Sequence, residues 1–235
     1  NSSAASDVYK RQVEDKSLRK LRPTLYDFLA HRAVDFFINE EVDLIRPAYT
    51  FEIDDPQYFS PANTFIKMSI SSRDSFSLQL KALHILQDLL AFHKNDSDPA
   101  ALIDADLKRL KFVQSKAVVE KKDELYLNAL NTLEKKHKAH PSHAEIIYEI
   151  ALVYYEKGGT YKPLVSDTNK WMLKKAHDLC AGVISKTEDI SYGVGCCKSL
   201  KSIIEQKHLR FTVEEGNVPD KPFRALLSCK NISDI

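Results

Sequence analysis

The sequence predicts a mainly α-helical chain that changes to β-structure near its end. Apolar residues recur at spacings of three and four through seven successive segments between Pro23 and Gln206, the periodicity of helices with a buried face. Only 6 Gly and 9 Pro occur in 235 residues, too few turn-formers for an all-β chain of this length. At Leu209 the pattern switches: Leu209–Glu214 and Phe223–Cys229 read as two strands around a turn-rich stretch ending at Pro222. A lone hairpin is marginal in water, so this one is expected to open a β domain cut short by the end of the chain.

Taken in order, residues 1–17 are expected to be a disordered leader. Asn1–Ser6 is small and polar, and Asp7–Gln12 resembles the translated end of a transposon adapter used in sequencing libraries. A native polar leader is the other reading. Residues 18–207 form the helical domain, and 208–235 the truncated start of a β-sandwich module. The first helix is expected over Pro23–Asn39, burying Leu25, Phe28, Leu29, Ala33, Phe36 and Phe37. Asp43–Asn63 carries three prolines among aromatics and reads as an extended connector with a short turn. The second helix is placed at Asp74–Lys94, capped by Ser72 or Asp74, with a stripe wide enough for two neighbours. Asn95–Pro99 is a turn that opens a third helix, Pro99–Gln114. The fourth starts at Val119 or Glu120 and runs to His137; the fifth spans Pro141–Lys157 and is expected to stop at Gly158-Gly159 through the left-handed conformation glycine adopts freely. A loop at Tyr161–Asp167 leads to the sixth, Asn169–Lys186, and the last covers Ser191–Gln206. Helices this long on short turns predict an antiparallel array. From Asp123 onward it resembles tetratricopeptide repeats, where small residues such as Ala144 and Ala151 let paired helices approach closely.

Charge and cysteine usage narrow the function classes. There are 34 basic and 33 acidic residues, a balance that argues against a dedicated nucleic-acid binder. No apolar run approaches the ~18 residues that span a bilayer. Cys180, Cys196, Cys197 and Cys229 make no C-x-x-C pair and leave the redox compartment open; Cys180 is expected to pack as a small hydrophobe. His137, His140 and His143 are the best candidate metal cluster, but no carboxylate or thiolate at helical spacing completes it, so a solvated helix junction is expected. Asp54 with Asp55, and Asp104 with Asp106, are too close in sequence to face each other across a substrate. No phosphate-cradling glycine pattern follows a strand. The sequence therefore offers no catalytic, cofactor-binding or metal residue, and a non-enzymatic chain is expected.

Four stretches resemble the N-terminal region of large bacterial alpha-2-macroglobulin-like proteins. They are Arg22–Phe37; Ala91–His93 with Ala101–Leu110; Lys122–Tyr126; and Pro219–Ile232. The last resembles the opening strand of a macroglobulin β-sandwich, departing from it at Cys229, where an aromatic is expected. The resemblance runs from about Leu18 to the end, through framework positions. It implies a helical front end to a chain of β-sandwich modules that traps proteases, an endopeptidase inhibitor of the periplasm or cell surface. Its partners would be proteases, held by downstream modules, and an envelope protein. The thioester some members carry needs Cys-x-Glu-Gln; here Glu205-Gln206 has Ile203 at the cysteine position. The alternative is a free-standing tetratricopeptide-like scaffold that offers a groove to a peptide.

Overall fold

The computed structural model describes residues 20–39, 49–162, 165–186, 191–214, 216 and 222–232. The leader at 1–17, residues 43–48 of the connector and most of the hairpin turn lie outside them. The predicted mainly helical chain with a closing two-stranded sheet is observed. In chain order the elements are α1 (Leu25–Ile38), a 3-10 turn (Pro56–Phe59), the single-turn α2 (Ala62–Phe65), α3 (Leu78–His93), α4 (Ala100–Lys116), α5 (Lys122–His137), α6 (His143–Gly159), α7 (Met172–Ile184), α8 (Tyr192–Glu205), β1 (His208–Val213) and β2 (Ala225–Lys230). From α3 onward each helix packs on the next; α1 lies on α3, and α8 returns to touch α6. One continuous apolar core runs from Ala30 on α1 to Ile204 on α8.

The buried face of α1 is turned away from the expected one: of that stripe, Phe28, Ala33 and Phe37 are half-buried, with Phe37 packed on the core, and the rest face out. Leu25, Leu29 and Phe36 are 72%, 55% and 60% exposed, while Asp27, Ala30, His31 and Val34 are buried. Polar partners account for the rotation. Asp27 meets His93, His31 faces Asp104, and the Lys108 ammonium donates to the His31 carbonyl at 3.2 Å. Those pairs form only if the Asp27–His31–Val34 face turns inward. The start of α1 is also set by chemistry rather than by Pro23. The Thr24 hydroxyl accepts from the Asp27 N–H at 3.2 Å, and the Asp27 carboxylate accepts from the Thr24 N–H at 2.8 Å, a reciprocal capping box.

Other boundaries shift for local reasons. Ser77 caps α3, its hydroxyl accepting from Leu80, so neither Ser72 nor Asp74 does; Asp74 turns inward and accepts from the Phe51 N–H at 3.2 Å. The connector is more ordered than an extended strand: Asp55 caps the 3-10 turn through the Gln57 N–H, and α2 follows directly. Lys121, at φ 56°, sits just before α5. α6 ends at Gly159, as expected, but neither glycine takes the left-handed conformation: Thr160 closes the helix in right-handed geometry. At Gly158 a Cβ would lie 2.6 Å from Leu173 Cγ, so the missing side chain admits α7.

β1 and β2 pair antiparallel with Leu209 opposite Cys229 and Phe211 opposite Leu227. Leu209, Phe211, Phe223, Leu226 and Leu227 are all exposed. The hairpin is held at its base, where the Asn231 amide donates to the Ile204 carbonyl at 2.7 Å and caps the C-terminal end of α8.

Candidate functional site

Where the helices meet, ionisable side chains are buried in fixed pairs. His93 ends α3 and joins two carboxylates: Nε2 lies 2.5 Å from Asp27 and Nδ1 2.6 Å from Asp96. Burial disfavours a charged ring, but hydrogen bonds to Asp96 and Asp27 outweigh it and hold His93 above its ordinary 6.5. Burial likewise pushes Asp27 up, and the bonds from His93 and Thr24 overcome it, leaving the carboxyl below 3.8. One imidazolium thus ties the N-terminal end of α1 to the C-terminal end of α3, the end at which positive charge is favoured.

Arg109 on α4 is 1% exposed and clamps the connector. Its guanidinium donates to Asp106 at 2.8 Å and to the Tyr58 and Ser60 carbonyls at 2.5 and 2.9 Å, and it stacks on Phe65 with 4.5 Å to the ring centre. Five fixed donors suit this task, in which one side chain satisfies a buried carboxylate and two loop carbonyls. Asp104, one residue before the buried Ala105, instead accepts from Arg22 at 2.8 Å. The two carboxylates serve different partners. Lower in the array, Glu149 on α6 receives Lys111 at 2.7 Å and lies 3.5 Å from the Tyr126 hydroxyl; burial, then the Glu149 charge, pushes Tyr126 up.

The three clustered histidines diverge. His140 Nε2 meets Asp98 at 3.0 Å while its Nδ1 accepts from the Ser142 N–H; His143 Nε2 meets Glu134 at 2.8 Å; His137 is buried, and burial lowers its pKa. His140 and His143 bond different carboxylates, His137 Nε2 is buried without a partner, and among the described residues no group of three or more His, Cys, Asp or Glu could hold a metal ion. On α3 and α1, His84 is exposed and His31 is buried beside Asp104. Burial, only partly opposed by Asp104, holds His31 down at about 4, so it is neutral near pH 7.

Two concave regions and two exposed apolar surfaces stand out among the described residues. A cavity of about 250 Å³ lies between the connector turn and α5, walled by Phe59, Pro61, Leu125 and Leu133 above Asp106 and Arg109. A groove of about 390 Å³ between α5 and α6 holds the Glu149–Tyr126–Lys111 group. The outward stripe of α1 is one apolar surface, extended by Tyr26 and Phe92, whose ring centres are 5.0 Å apart. The hairpin is the other. Sequence reasoning missed the His93 pair and the Arg109 clamp, because their partners are 66 and up to 51 residues distant. The Thr24-x-x-Asp27 capping signature was the one local signal that pointed to Asp27.

No protein-family model, curated protein or solved structure matches the chain. Among the described residues, no helix is long and apolar enough to cross a membrane.

Proposed function

We propose that the chain is a non-catalytic helical interaction module at the front of an alpha-2-macroglobulin-like protease-trapping protein of the bacterial cell envelope. The observation that carries this reading is the hairpin. In its register Leu209, Phe211, Val213, Leu227 and Cys229 share one face, and the other carries His208, Arg210, Thr212, Ser228 and Lys230 with Leu226; Leu209, Phe211 and Leu227 are nonetheless exposed. One apolar and one polar face on a two-stranded sheet suit the opening strands of a sandwich, whose remaining strands would cover the apolar side. The helical part is consistent with the reading, since Asp27 with His93 and Asp106 with Arg109 are buried as mutually satisfied pairs. In this reading the helices position the trap and bind an envelope partner, and proteases are engaged by β modules downstream.

A second reading, a free-standing tetratricopeptide-like scaffold, is favoured by the return of α8 onto α6 and by the groove between α5 and α6. Reading the source DNA past the codon for Ile235 separates the two. A long open frame of alternating strands, with or without Cys-x-Glu-Gln, is the expected result. A stop codon within a few dozen codons removes the trap and leaves the scaffold.

A further inference from the structure

The cavity beside the connector combines apolar walls with a buried polar group that the fold leaves unmatched. The Arg109 clamp shapes it. By holding the Tyr58 and Ser60 carbonyls, Arg109 fixes the 3-10 turn on α4, and α5 packs against both. Ala62 and Ala129 line the space between, which longer side chains would fill. Phe59, Pro61, Leu125 and Leu133 wall the resulting volume of about 250 Å³. His137, in the last turn of α5, also lines the cavity; it is 9% exposed, and its Nε2 is buried with no hydrogen-bond partner. A buried polar atom of this kind costs stability until something pairs with it. Burial, reinforced by the charges of Lys136 and His140, holds His137 below its ordinary 6.5. Its ring is therefore neutral near pH 7 and can donate one hydrogen bond. Beside it, Lys136 is exposed on the rim, while Arg109 is already matched by Asp106. The cavity is thus apolar in its walls and positive where α5 ends.

We propose that this cavity binds a small aromatic carboxylate, with its single ring between Phe59, Pro61, Leu125 and Leu133 and its carboxylate at the end of α5, met by the Lys136 ammonium and by His137 Nε2. The size fits. An apolar cavity of about 150 Å³ takes benzene, so one of about 250 Å³ holds a ring with a short acid arm. The charge fits as well. A cation would meet Lys136 as a like charge, and a dicarboxylate would leave its second charge unpaired among apolar walls. The outer torsion of a histidine is soft, so the ring can turn Nε2 toward the carboxylate without moving α5. The bound acid then supplies the acceptor that His137 lacks in the fold. Every lining residue lies between Pro56 and His137, so the site is independent of the hairpin and of the trap reading.

The test titrates phenylacetate into the full chain with isotope-labelled histidine rings, following binding by calorimetry and NMR. The expected result is saturable binding with a Kd of about 1 mM or tighter and a shift of the His137 Nε2 signal. Phenylacetamide, the same shape without the charge, should bind about two- to fivefold more weakly, and Lys136→Ala should bind the two alike. His137→Leu should weaken phenylacetate about two- to tenfold. Ala129→Leu fills the cavity and should abolish binding while keeping the helical circular-dichroism spectrum. If that variant does not fold, Thr132→Phe, on the exposed rim, blocks the cavity in its place. The proposal is overturned by no saturable binding at about ten times that concentration. It is equally overturned by equal affinity for acid and amide in the unaltered chain, by an unmoved His137 signal, or by binding that survives a folded cavity-filling variant.

Discussion

His93 and His31 are both buried and respond to acid in opposite senses. His93 is held above 6.5 by Asp96 and Asp27, so its contribution is complete below 6.5 and is lost as pH rises through its folded value. Asp27 is held below 3.8, so its share is present above 3.8 and is lost as pH falls through its folded value. The pair is therefore strongest between those limits. His93→Gln should destabilise the fold by about 3 kcal/mol near pH 5, and by less near pH 8, in urea denaturation. An equal loss at both pH values would show that the ring is neutral in the folded protein. His31 works the other way. Its folded value near 4 lies below 6.5, so folding excludes a proton that the unfolded chain binds, and stability falls as pH drops from 6.5 toward 4. That gap corresponds to on the order of 3 kcal/mol at the acid end. His31→Gln, which cannot titrate, should flatten the acid side of the stability profile; an unchanged slope would assign it to other groups.

At the scale of elements, two glycines on one helix make opposite predictions. A Cβ at Gly193 would collide with the backbone of Glu145 and Ala144 on α6, whereas a Cβ at Gly195 meets nothing within 4 Å. Gly193→Ala should cost about 1–3 kcal/mol, because backbone cannot give way as a side-chain tip can. Gly195→Ala should stabilise by up to about 1 kcal/mol through helix propensity alone. Paired denaturation curves decide it, and similar effects from the two substitutions would refute the close α6–α8 approach. Most of this level was legible in the sequence. The long helices lie within a few residues of the expected spans because their apolar periodicity is local. What was not legible depends on distant partners. The stripe Leu25, Leu29, Phe36 is the most apolar face of α1, and burying it was the natural expectation. His93 and Asp104, both far along the chain, turn the other face inward. The close approach of Leu173 to Gly158 was likewise not legible, because Leu173 lies in the next helix.

For the whole molecule, the question is how much the hairpin contributes to the fold it follows. The apolar core passes through every long helix and includes no residue of β1 or β2. Among the described residues, Asn231 ties the hairpin to the helical part by donating to the carbonyls of Ile204 and Gln206 at 2.7 and 3.3 Å. Without it, water reaches the same carbonyls at the open end of α8, so the net loss is about 0.5–1.5 kcal/mol per bond. Against that loss, removing the hairpin also removes several apolar side chains from solvent-exposed positions and should improve solubility. A chain ending at Gln206 is therefore expected to keep its helical spectrum and to melt within about 5 °C of the full chain. In the full chain, limited proteolysis should cut within residues 208–235 before any helix is touched. A drop in Tm well beyond that range, or a hairpin as resistant to protease as α4, would mean that the strands pack on the helices in solution. The exposed faces would then be part of this fold, and the β-sandwich reading would lose its main support.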